Sequence, residues 1–298
     1  MKISGISQGN PIIRHKYTAD PTVIVYGDTV YLYTGHDEAP PATHQYVMNE
    51  WLCFSSRDLV NWSDHGALLR PTDFSWGKSN AYASKVIEHD GKFYWFVALT
   101  PANSTSKAIA VAVAETPTGP FTDARRSALI TNQFNMLPGT DNFDPTVLLD
   151  DDGSAYIFWG KKVCYYAKLN DTLLELESEI KTVNLPEFME GAHIHKHNGW
   201  YYLSYGYGFP EKVGYAMSRS IHGPWDFKGI LNEIAGNCET NRPAMVDFKG
   251  RSYFFYHNGG LPEGGSHRRS VCIDYLYYNG DGTMRRVVMT SEGVQRVV

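Results

Sequence analysis

The chain has 298 residues, a formal net charge of -5 at pH 7 and 20% charged residues, with both signs interspersed. This distribution argues against a nucleic acid or an anionic membrane as the partner. Aromatic residues make up 14% of the chain, with 20 Tyr and 7 Trp, and there are 27 Gly. The mixture favours many short strands and tight turns over helices, and it suits a β core as well as an uncharged sugar partner.

The N-terminal segment, residues 1–15, has no apolar core of signal-peptide length, and no run of residues approaches membrane-spanning length. We therefore expect a cytoplasmic protein, unless a signal peptide has been removed. Cys53, Cys164 and Cys272 each lie in a short apolar strand of a different repeat unit, so they are predicted to be buried, small hydrophobic residues and not disulfide partners. The pattern assigns no role to Cys238.

A short repeat organises the chain. Each copy has a polar residue at the start of a strand, a glycine turn a few residues later, and a strand dense in aromatic residues. The turn glycines are spaced by 64, 62, 46 and 51 residues, which suits a four-stranded antiparallel unit with loops. The copies are residues 19–33, 81–95, 143–159, 189–203 and 241–256.

The outer half of each unit also repeats, as polar turns that end in an aromatic residue at 55–62, 114–121 and 218–225. Only residues 171–180 have any helical character, and that stretch is short. Strand pairs without crossover helices form antiparallel sheets. The sequence therefore predicts an all-β fold, a five-bladed β-propeller that forms a single catalytic domain over residues 1–298. A two-sheet sandwich is the alternative, although a five-fold period does not suit it.

Carboxylates lead three of the five copies, as Asp20, Asp144 and Glu190. Equivalent positions on the innermost strands of a propeller meet at one end of its channel, where rigid strands hold them as a catalytic site requires. Like charges raise one another's pKa, so at least one acid would keep a proton near neutral pH. Asp-Pro pairs also begin turns, but the sequence Asp-Pro-Thr-Val occurs at the same point of two copies.

Hydrolysis of a glycosidic bond needs one ionised and one protonated carboxyl group. A separation of about 6.5–9.5 Å leaves room for a water molecule and gives inversion, whereas about 5–5.5 Å makes the second carboxylate a nucleophile. The three acids therefore favour a glycosidase, and the spacing of the sequence alone leaves both stereochemical outcomes open.

The chain resembles glycoside hydrolase family 43, five-bladed propellers that act on arabinose- and xylose-containing polysaccharides, over essentially its whole length. The resemblance implies that Asp20 is the general base that deprotonates the attacking water and that Glu190 is the general acid that protonates the leaving oxygen. It implies that Asp144 orients Glu190 and keeps its pKa high, and that the reaction inverts the anomeric centre. The segments that carry it are 17–21, 142–147 with 151–153, 190–191, and 254–258 with 269–271.

The resemblance also implies contacts with the substrate. Phe143 is expected to pack against the sugar in the −1 subsite, and Arg269 to reach the bound sugar. Trp76 and Tyr82 lie in a segment that resembles the family's aromatic wall from the second blade, and His257 ends an inner strand. The alternative for the aromatic residues is core packing, and for Arg269 and His257 a purely structural role.

The chain departs from the family at one position. Many relatives carry a His in a Thr-Asn-His context, where it helps to hold a calcium ion in the central channel, but this chain has Arg242 after Thr240 and Asn241. A guanidinium has donors only and cannot ligate a metal. We therefore expect no required cofactor and no calcium at this position. The acidic residues 150–152 lack EF-hand spacing and predict a hairpin turn.

The leading functional hypothesis is an exo-acting α-L-arabinofuranosidase that releases terminal arabinofuranose from oligosaccharides derived from arabinoxylan or arabinan. A β-xylosidase, or an enzyme with both activities, is the runner-up, because the two sugars present similar hydroxyl patterns. An endo-arabinanase would need an open groove. A non-catalytic sugar-binding propeller is the alternative from another class, and the presence of all three acids disfavours it. The expected partner is a small carbohydrate, with no nucleic acid and no membrane.

Overall fold

Over residues 4–6, 9–134 and 137–298, which the computed structural model describes, the chain forms five antiparallel sheets that follow one another along the sequence. They are the blades of a five-bladed β-propeller, and the predicted fold class is confirmed. Blade 1 contains β1 (Ser4–Ile6), β2 (Thr18–Tyr26), β3 (Thr29–His36), β4 (Trp51–Ser56) and β5 (Asn61–Leu69). Blade 2 contains β6 (Gly77–Ser79), β7 (Ser84–His89), β8 (Lys92–Pro101), β9 (Ala108–Ala114) and β10 (Thr122–Asp123).

The remaining blades are built in the same way, with each strand paired to the next. Blade 3 contains β11 (Thr146–Leu149), β12 (Ala155–Trp159), β13 (Cys164–Leu169) and β14 (Lys181–Val183). Blade 4 contains β15 (Phe188–His197), β16 (Trp200–Tyr207), β17 (Lys212–Ser218) and β18 (Asp226–Asn232). Blade 5 contains β19 (Ala244–Phe248), β20 (Arg251–Asn258) and β21 (Ser270–Leu276).

The repeated glycines form the tight turns that the sequence predicts. In blade 4 the register runs from His197 to Trp200, so the turn consists of Asn198 (φ 47°) and Gly199 (φ 74°). Two positive φ values define the type I′ turn, whose twist matches that of the flanking strands. Gly91 and Gly250 occupy the same place in blades 2 and 5.

The aromatic second strands fill the space between neighbouring blades. Tyr33 of blade 1 packs with Trp95 of blade 2, and each is fully buried. Another cluster joins Leu32 to Tyr253 and Phe255 of blade 5, which closes the ring. Since each fully buried large apolar side chain contributes about 1.5–3 kcal/mol, these contacts between blades hold the propeller together.

The N-terminal segment also closes the ring, because it runs along β21. The backbone N–H of Ile12 donates to the oxygen of Val271 at 2.9 Å, and that of Thr18 donates to the oxygen of Arg269 at 2.9 Å. Cys53, Cys164 and Cys272 are buried, free and in different blades, as predicted.

The helical expectation for residues 171–180 is wrong. The segment is a series of turns and bends, and its Leu176 forms an isolated bridge with Leu169. Within the described ranges there is no α-helix, and Pro71–Asp73 is a single 3₁₀ turn. No helix of the described residues is therefore long and apolar enough to cross a membrane.

Candidate active site

The innermost strand of each blade faces the central channel, and side chains bond from one blade to the next there. Thr22 on β2 accepts the N–H of Val86 on β7 at 3.5 Å, and Thr146 on β11 accepts that of Ile194 on β15 at 3.3 Å. At one end of this channel lies a pocket of about 240 Å³ that brings together all three predicted acids. Its lining residues are Asp20, Tyr46, Met48, Tyr82, Ala83, Phe143, Asp144, Lys161, Met189, Glu190, Phe209, Glu211, Glu239, Thr240, Asn241, Arg242 and Arg269.

Irregular backbone aims the acids into the pocket. Asp20 (φ 52°) and Asp144 (φ 63°) adopt left-handed conformations, which cost about 1–3 kcal/mol for a residue other than glycine and cluster at functional sites. The pairing of β2 shifts register between Ala19 and Thr22, and the pairing of β15 shifts on both sides of Glu190. Such bulges re-aim a side chain next to an active site.

Asp20 lies between an arginine and a histidine. Arg269 Nη1 is 3.2 Å from Oδ1 of Asp20, and the backbone N–H of Asp20 donates to Nδ1 of His257 at 3.2 Å. Another edge of the guanidinium is held by Asp37, because Nε and Nη2 of Arg269 donate to its two oxygens at 2.8 and 2.9 Å. Burial alone would raise the pKa of Asp37, but the charge and hydrogen bonds of Arg269 outweigh burial and lower it.

His257 does not line the pocket, so its place does not fit the expected contact with the sugar. The ring is fully buried behind Asp20, and its Nε2 lies 3.0 Å from the backbone oxygen of Thr240. Since Nδ1 accepts the N–H of Asp20, the proton of the neutral ring is on Nε2 and faces Thr240. Burial, followed by repulsion from Arg269, lowers the pKa of His257 well below its usual range.

Glu190 has the protonation behaviour of a general acid. Burial and then the negative charge of Asp144 raise its pKa to about 7, against the opposing effects of Lys161 and Arg242. The Nζ of Lys161 lies 3.5 Å from Oε2 of Glu190. Near neutral pH the carboxyl group can therefore hold a proton and release it to a leaving group.

Asp144 is held beside Glu190 by two donors. Nη1 of Arg242 lies 2.7 Å from Oδ2 of Asp144, and the backbone N–H of Gly191 donates to the same oxygen at 3.0 Å. A side chain at Gly191 (φ 76°) would be strained and would displace that guanidinium, because a Cβ atom would lie 2.7 Å from Nη1 of Arg242. These two donors therefore offset the negative charge of Asp144 beside Glu190.

The surroundings of Arg242 do not suit the calcium ion that the family resemblance implies. The guanidinium is buried and already pairs with Asp144, and it offers no lone pair to a cation. Among the described residues there is also no group of three or more His, Cys, Asp or Glu side chains placed to hold a metal ion.

The predicted substrate contacts divide into two groups. Tyr82, Phe143 and Arg269 line the pocket, and the rings of Tyr82 and Phe143 meet edge to face with centroids 5.7 Å apart. Trp76 lies outside the pocket, where its Nε1 donates to Asp123 at 3.2 Å and its ring packs on Phe74.

Sequence reasoning missed Tyr46, Lys161, Phe209 and Glu211, all of which line the pocket. Each lies in a connection between the second and third strands of its blade, counted from the innermost strand. Because the strands are antiparallel, these connections return to the end of the channel at which the first strands begin. A search of those three connections, in blades 1, 3 and 4, for polar and aromatic residues would have found them.

Glu211 is a fourth buried acid of the pocket. Its Oε2 accepts the N–H of Asn241 at 3.1 Å, and its carboxyl group lies over Gly206, the register partner of Glu190. Burial first, and the charge of Glu190 second, raise the pKa of Glu211 well above its usual range. Of these four acids, Glu190 and Glu211 therefore have raised pKa values, whereas Asp20 and Asp144 each pair with an arginine.

Comparison with known proteins agrees with this geometry. A sequence profile described as Glycosyl hydrolases family 43 matches residues 8–284. Xylosidase/arabinosidase 43A of Humicola insolens is 30% identical to the chain, over 91% of the chain and 97% of that protein.

Solved structures are similar over nearly the whole chain. An alpha-L-arabinofuranosidase of Clostridium thermocellum superposes with a TM-score of 0.79 at 33% identity, covering 94% of this chain and 97% of its own. A beta-xylosidase/alpha-arabinofuranosidase from a compost microbial metagenome gives a TM-score of 0.83 at 26% identity. The match covers 98% of this chain and 100% of that protein's chain. Both activities thus occur in the names of the relatives.

Proposed function

The chain belongs to glycoside hydrolase family 43, a family of glycosidases, and we propose that it is an exo-acting, inverting hydrolase that releases terminal α-L-arabinofuranose. Its substrates would be oligosaccharides derived from arabinoxylan or arabinan. One observation carries the proposal: Asp20, Asp144 and Glu190, whose pKa is raised to about 7, line one pocket of about 240 Å³. Since pockets for drug-sized ligands measure about 300–1,000 Å³, this one suits a single terminal sugar.

In the proposed reaction, Asp20 accepts a proton from a water molecule as the water oxygen bonds to the anomeric carbon. The bond from that carbon to the leaving oxygen breaks, and Glu190 gives its proton to this oxygen. The contact with Arg269 orients the carboxyl group of Asp20. After each turnover Asp20 holds the extra proton and Glu190 lacks one, so exchange with solvent restores the starting state.

Asp144 acts through Glu190 in this mechanism. Its negative charge raises the pKa of Glu190, so the acid keeps its proton near neutral pH. Arg242 and the N–H of Gly191 stabilise Asp144 as a carboxylate at this buried place. A buried carboxylate without such partners would be strongly destabilising.

Aromatic and cationic side chains would hold the sugar. Tyr82 and Phe143 offer apolar ring surface on one wall, and Tyr46 packs over Arg269 on the other, with the guanidinium carbon 4.8 Å from the ring centroid. Such walls suit a furanose or pyranose ring, whose faces are apolar and whose edge carries hydroxyl groups.

A β-xylosidase, or an enzyme with both activities, is the second candidate, because the names of close relatives include xylosidase and arabinosidase together. The test is hydrolysis of chromogenic α-L-arabinofuranoside and β-D-xyloside side by side, with product anomers followed by NMR. We expect faster cleavage of the arabinofuranoside with inversion. Preference for the xyloside would keep the mechanism and change the substrate, and cleavage of neither would overturn the exo-hydrolase.

A further inference from the structure

Two lysines flank one wall of the pocket. Nζ of Lys161 lies 4.6 Å from the ring centroid of Phe143, and Nζ of Lys107 lies 5.6 Å from the same centroid and 5.3 Å from that of Tyr82. Lys107 directly precedes β9 and Lys161 follows β12, so blades 2 and 3 each contribute one ammonium group. Both aromatic rings line the pocket, and the two charges therefore lie at its rim.

The lysines are close enough to repel each other. Burial lowers the pKa of Lys107, Asp141 opposes this effect, and the charge of Lys161 lowers the pKa further. The Oδ1 atom of Asp141 already accepts the backbone N–H groups of Lys107 and Asn142, each at 2.9 Å. Among the residues that the structure describes, Lys107 forms no ion pair within 4.0 Å. The rim thus gathers positive charge on a chain whose net charge is -5.

The contact of Lys161 changes with the state of the general acid. Its ion-pair partner is Glu190, at 3.5 Å, but Glu190 acts only while it carries a proton. In that state Glu190 is neutral and no longer forms an ion pair with Lys161. The side chain of Lys161 is 37% exposed and faces the pocket. An anion brought by the substrate would then be attracted to both ammonium groups.

The position of Glu190 indicates which part of the substrate lies beside Lys107 and Lys161. A general acid sits beside the oxygen of the leaving group, whereas Asp20, Arg269 and the attacking water belong to the opposite side of the sugar. Lys161 touches Glu190, so the lysine pair lies beside the leaving group.

We propose that Lys107 and Lys161 bind a carboxylate on the leaving group. The preferred substrates are then acidic oligosaccharides, with a uronic acid next to the sugar that is released. This inference rests on the proposed function. Partly exposed ion pairs contribute little free energy. We therefore expect kcat/KM at low salt to be roughly 3- to 10-fold higher for an acidic substrate than for a matched neutral one, and added salt should reduce this preference.

A pair of aryl glycosides tests the proposal. The phenol carries a para CH₂–COO⁻ group in one and a para CH₂–CONH₂ group in the other, so that the methylene insulates the reacting oxygen from the charge. Wild-type enzyme should prefer the anionic glycoside, and Lys107→Met should bring the ratio of the two kcat/KM values close to one. Lys181→Met is the matched control, because Lys181 is an exposed lysine on the outer strand of blade 3, and it should keep the ratio.

Binding of the same pair to Glu190→Gln, measured by calorimetry, separates the inference from the proposed function. Gln imitates the protonated acid and leaves Lys161 without a carboxylate beside it. Tighter binding of the anionic glycoside supports the lysine site even if neither compound is hydrolysed by the wild type, a result that would overturn the proposed function alone. Equal binding and equal hydrolysis of the two glycosides would overturn the lysine site and leave the proposed function standing.

Discussion

The carboxyl group of Glu211 fills the space that Gly206 leaves open beside Glu190. A Cβ atom on Gly206 would lie 2.8 Å from Oε2 of Glu211 and 3.1 Å from the backbone oxygen of Glu190. Of the two acids, Glu211 has its pKa raised well above the usual range, and Glu190 has its pKa raised to about 7. Both acids therefore hold their protons to higher pH than an ordinary carboxyl group does, and we predict that Glu211 is still neutral when Glu190 ionises.

Glu211→Gln tests this protonation state. Gln is neutral and has the shape of a protonated Glu, and its oxygen can still accept the N–H of Asn241. We expect kcat/KM at pH 6 to stay within about threefold of wild type, with the same loss of activity above about pH 7 as Glu190 loses its proton. A loss that begins at clearly lower pH would show that Glu211 is ionised and normally raises the pKa of Glu190.

Glu211→Ala is the companion variant, because it removes the acceptor of the buried Asn241 N–H. An unsatisfied buried group costs about 1–3 kcal/mol. Thermal unfolding should therefore show a lower Tm for the Ala variant than for the Gln variant. Equal Tm values would mean that another group replaces the lost acceptor.

The sequence revealed the parts of the site that lie on the repeat itself. Asp20, Asp144 and Glu190 each lead an innermost strand, so a pattern of polar residue, glycine turn and aromatic strand was sufficient to align them. Lys161 and Glu211 lie in connections between second and third strands, which differ in length from blade to blade (residues 37–50 in blade 1 and 208–211 in blade 4). No period marks those positions, so only the folded chain brings them to the acids.

Two of the predicted contact residues, His257 and Trp76, lie outside the pocket for a different reason. Strand alternation shows which side of a strand a residue faces, but not what covers it. His257 faces the acids but is covered by the backbone of Asp20. Trp76 lies near the innermost strand of blade 2, but its indole N–H donates to Asp123 on β10, outside the pocket. Both outcomes depend on contacts between residues that are far apart in sequence.

The roles proposed for Asp20 and Glu190 predict different dependence on the leaving group. Glu190→Gln should lose about 10²–10⁴-fold of kcat on an oligosaccharide, whose leaving oxygen needs a proton, and much less on a nitrophenyl glycoside, whose leaving group departs without one. Asp20→Asn should lose activity on both substrates, because the water must be deprotonated in either case. Kinetics on the two substrates, with Tm as the control for folding, measure the contrast. Wild-type-like rates on the oligosaccharide in either variant would contradict the assignment.

The pairing of Arg242 with Asp144 predicts that the enzyme works without a divalent metal. The guanidinium supplies the positive charge beside the acids, so dialysis against a chelator should leave both kcat/KM and Tm unchanged. A ligand that binds the folded state raises the stability by mass action, so Ca²⁺ at millimolar concentration should produce no shift in Tm. Loss of activity on chelation, restored by Ca²⁺ and not by Mg²⁺, would show that a calcium site exists.

Lys85 on β7 predicts an unusual dependence of stability on pH. The side chain is only 9% exposed, and burial lowers its pKa from 10.5 to about 8. It faces neutral histidines: burial, with a further contribution from the charge of Lys85, lowers the pKa of both His193 and His195 on β15. Below pH 8 the folded protein must therefore keep a buried ammonium group that the unfolded chain exposes to water.

The sign follows from proton binding. Between pH 8 and 10.5 the unfolded chain binds a proton at Lys85 that the folded protein has released, so the free energy of unfolding increases with pH in this window. Lys85→Met removes the cost of the buried charge and should stabilise the protein at pH 7 by up to about 3 kcal/mol, an advantage that shrinks towards pH 10.5.

Urea unfolding of wild type and Lys85→Met at pH 7 and pH 10 measures the effect. Lys181→Met is again the matched control, since the lysine is exposed and its replacement should change the stability little at either pH. Because Met fills nearly the same volume as the lysine stem, a gain at pH 7 that shrinks at pH 10 reports the charge and not the packing. A variant that is less stable than wild type at pH 7 would show that the ammonium group has a stabilising partner in the channel.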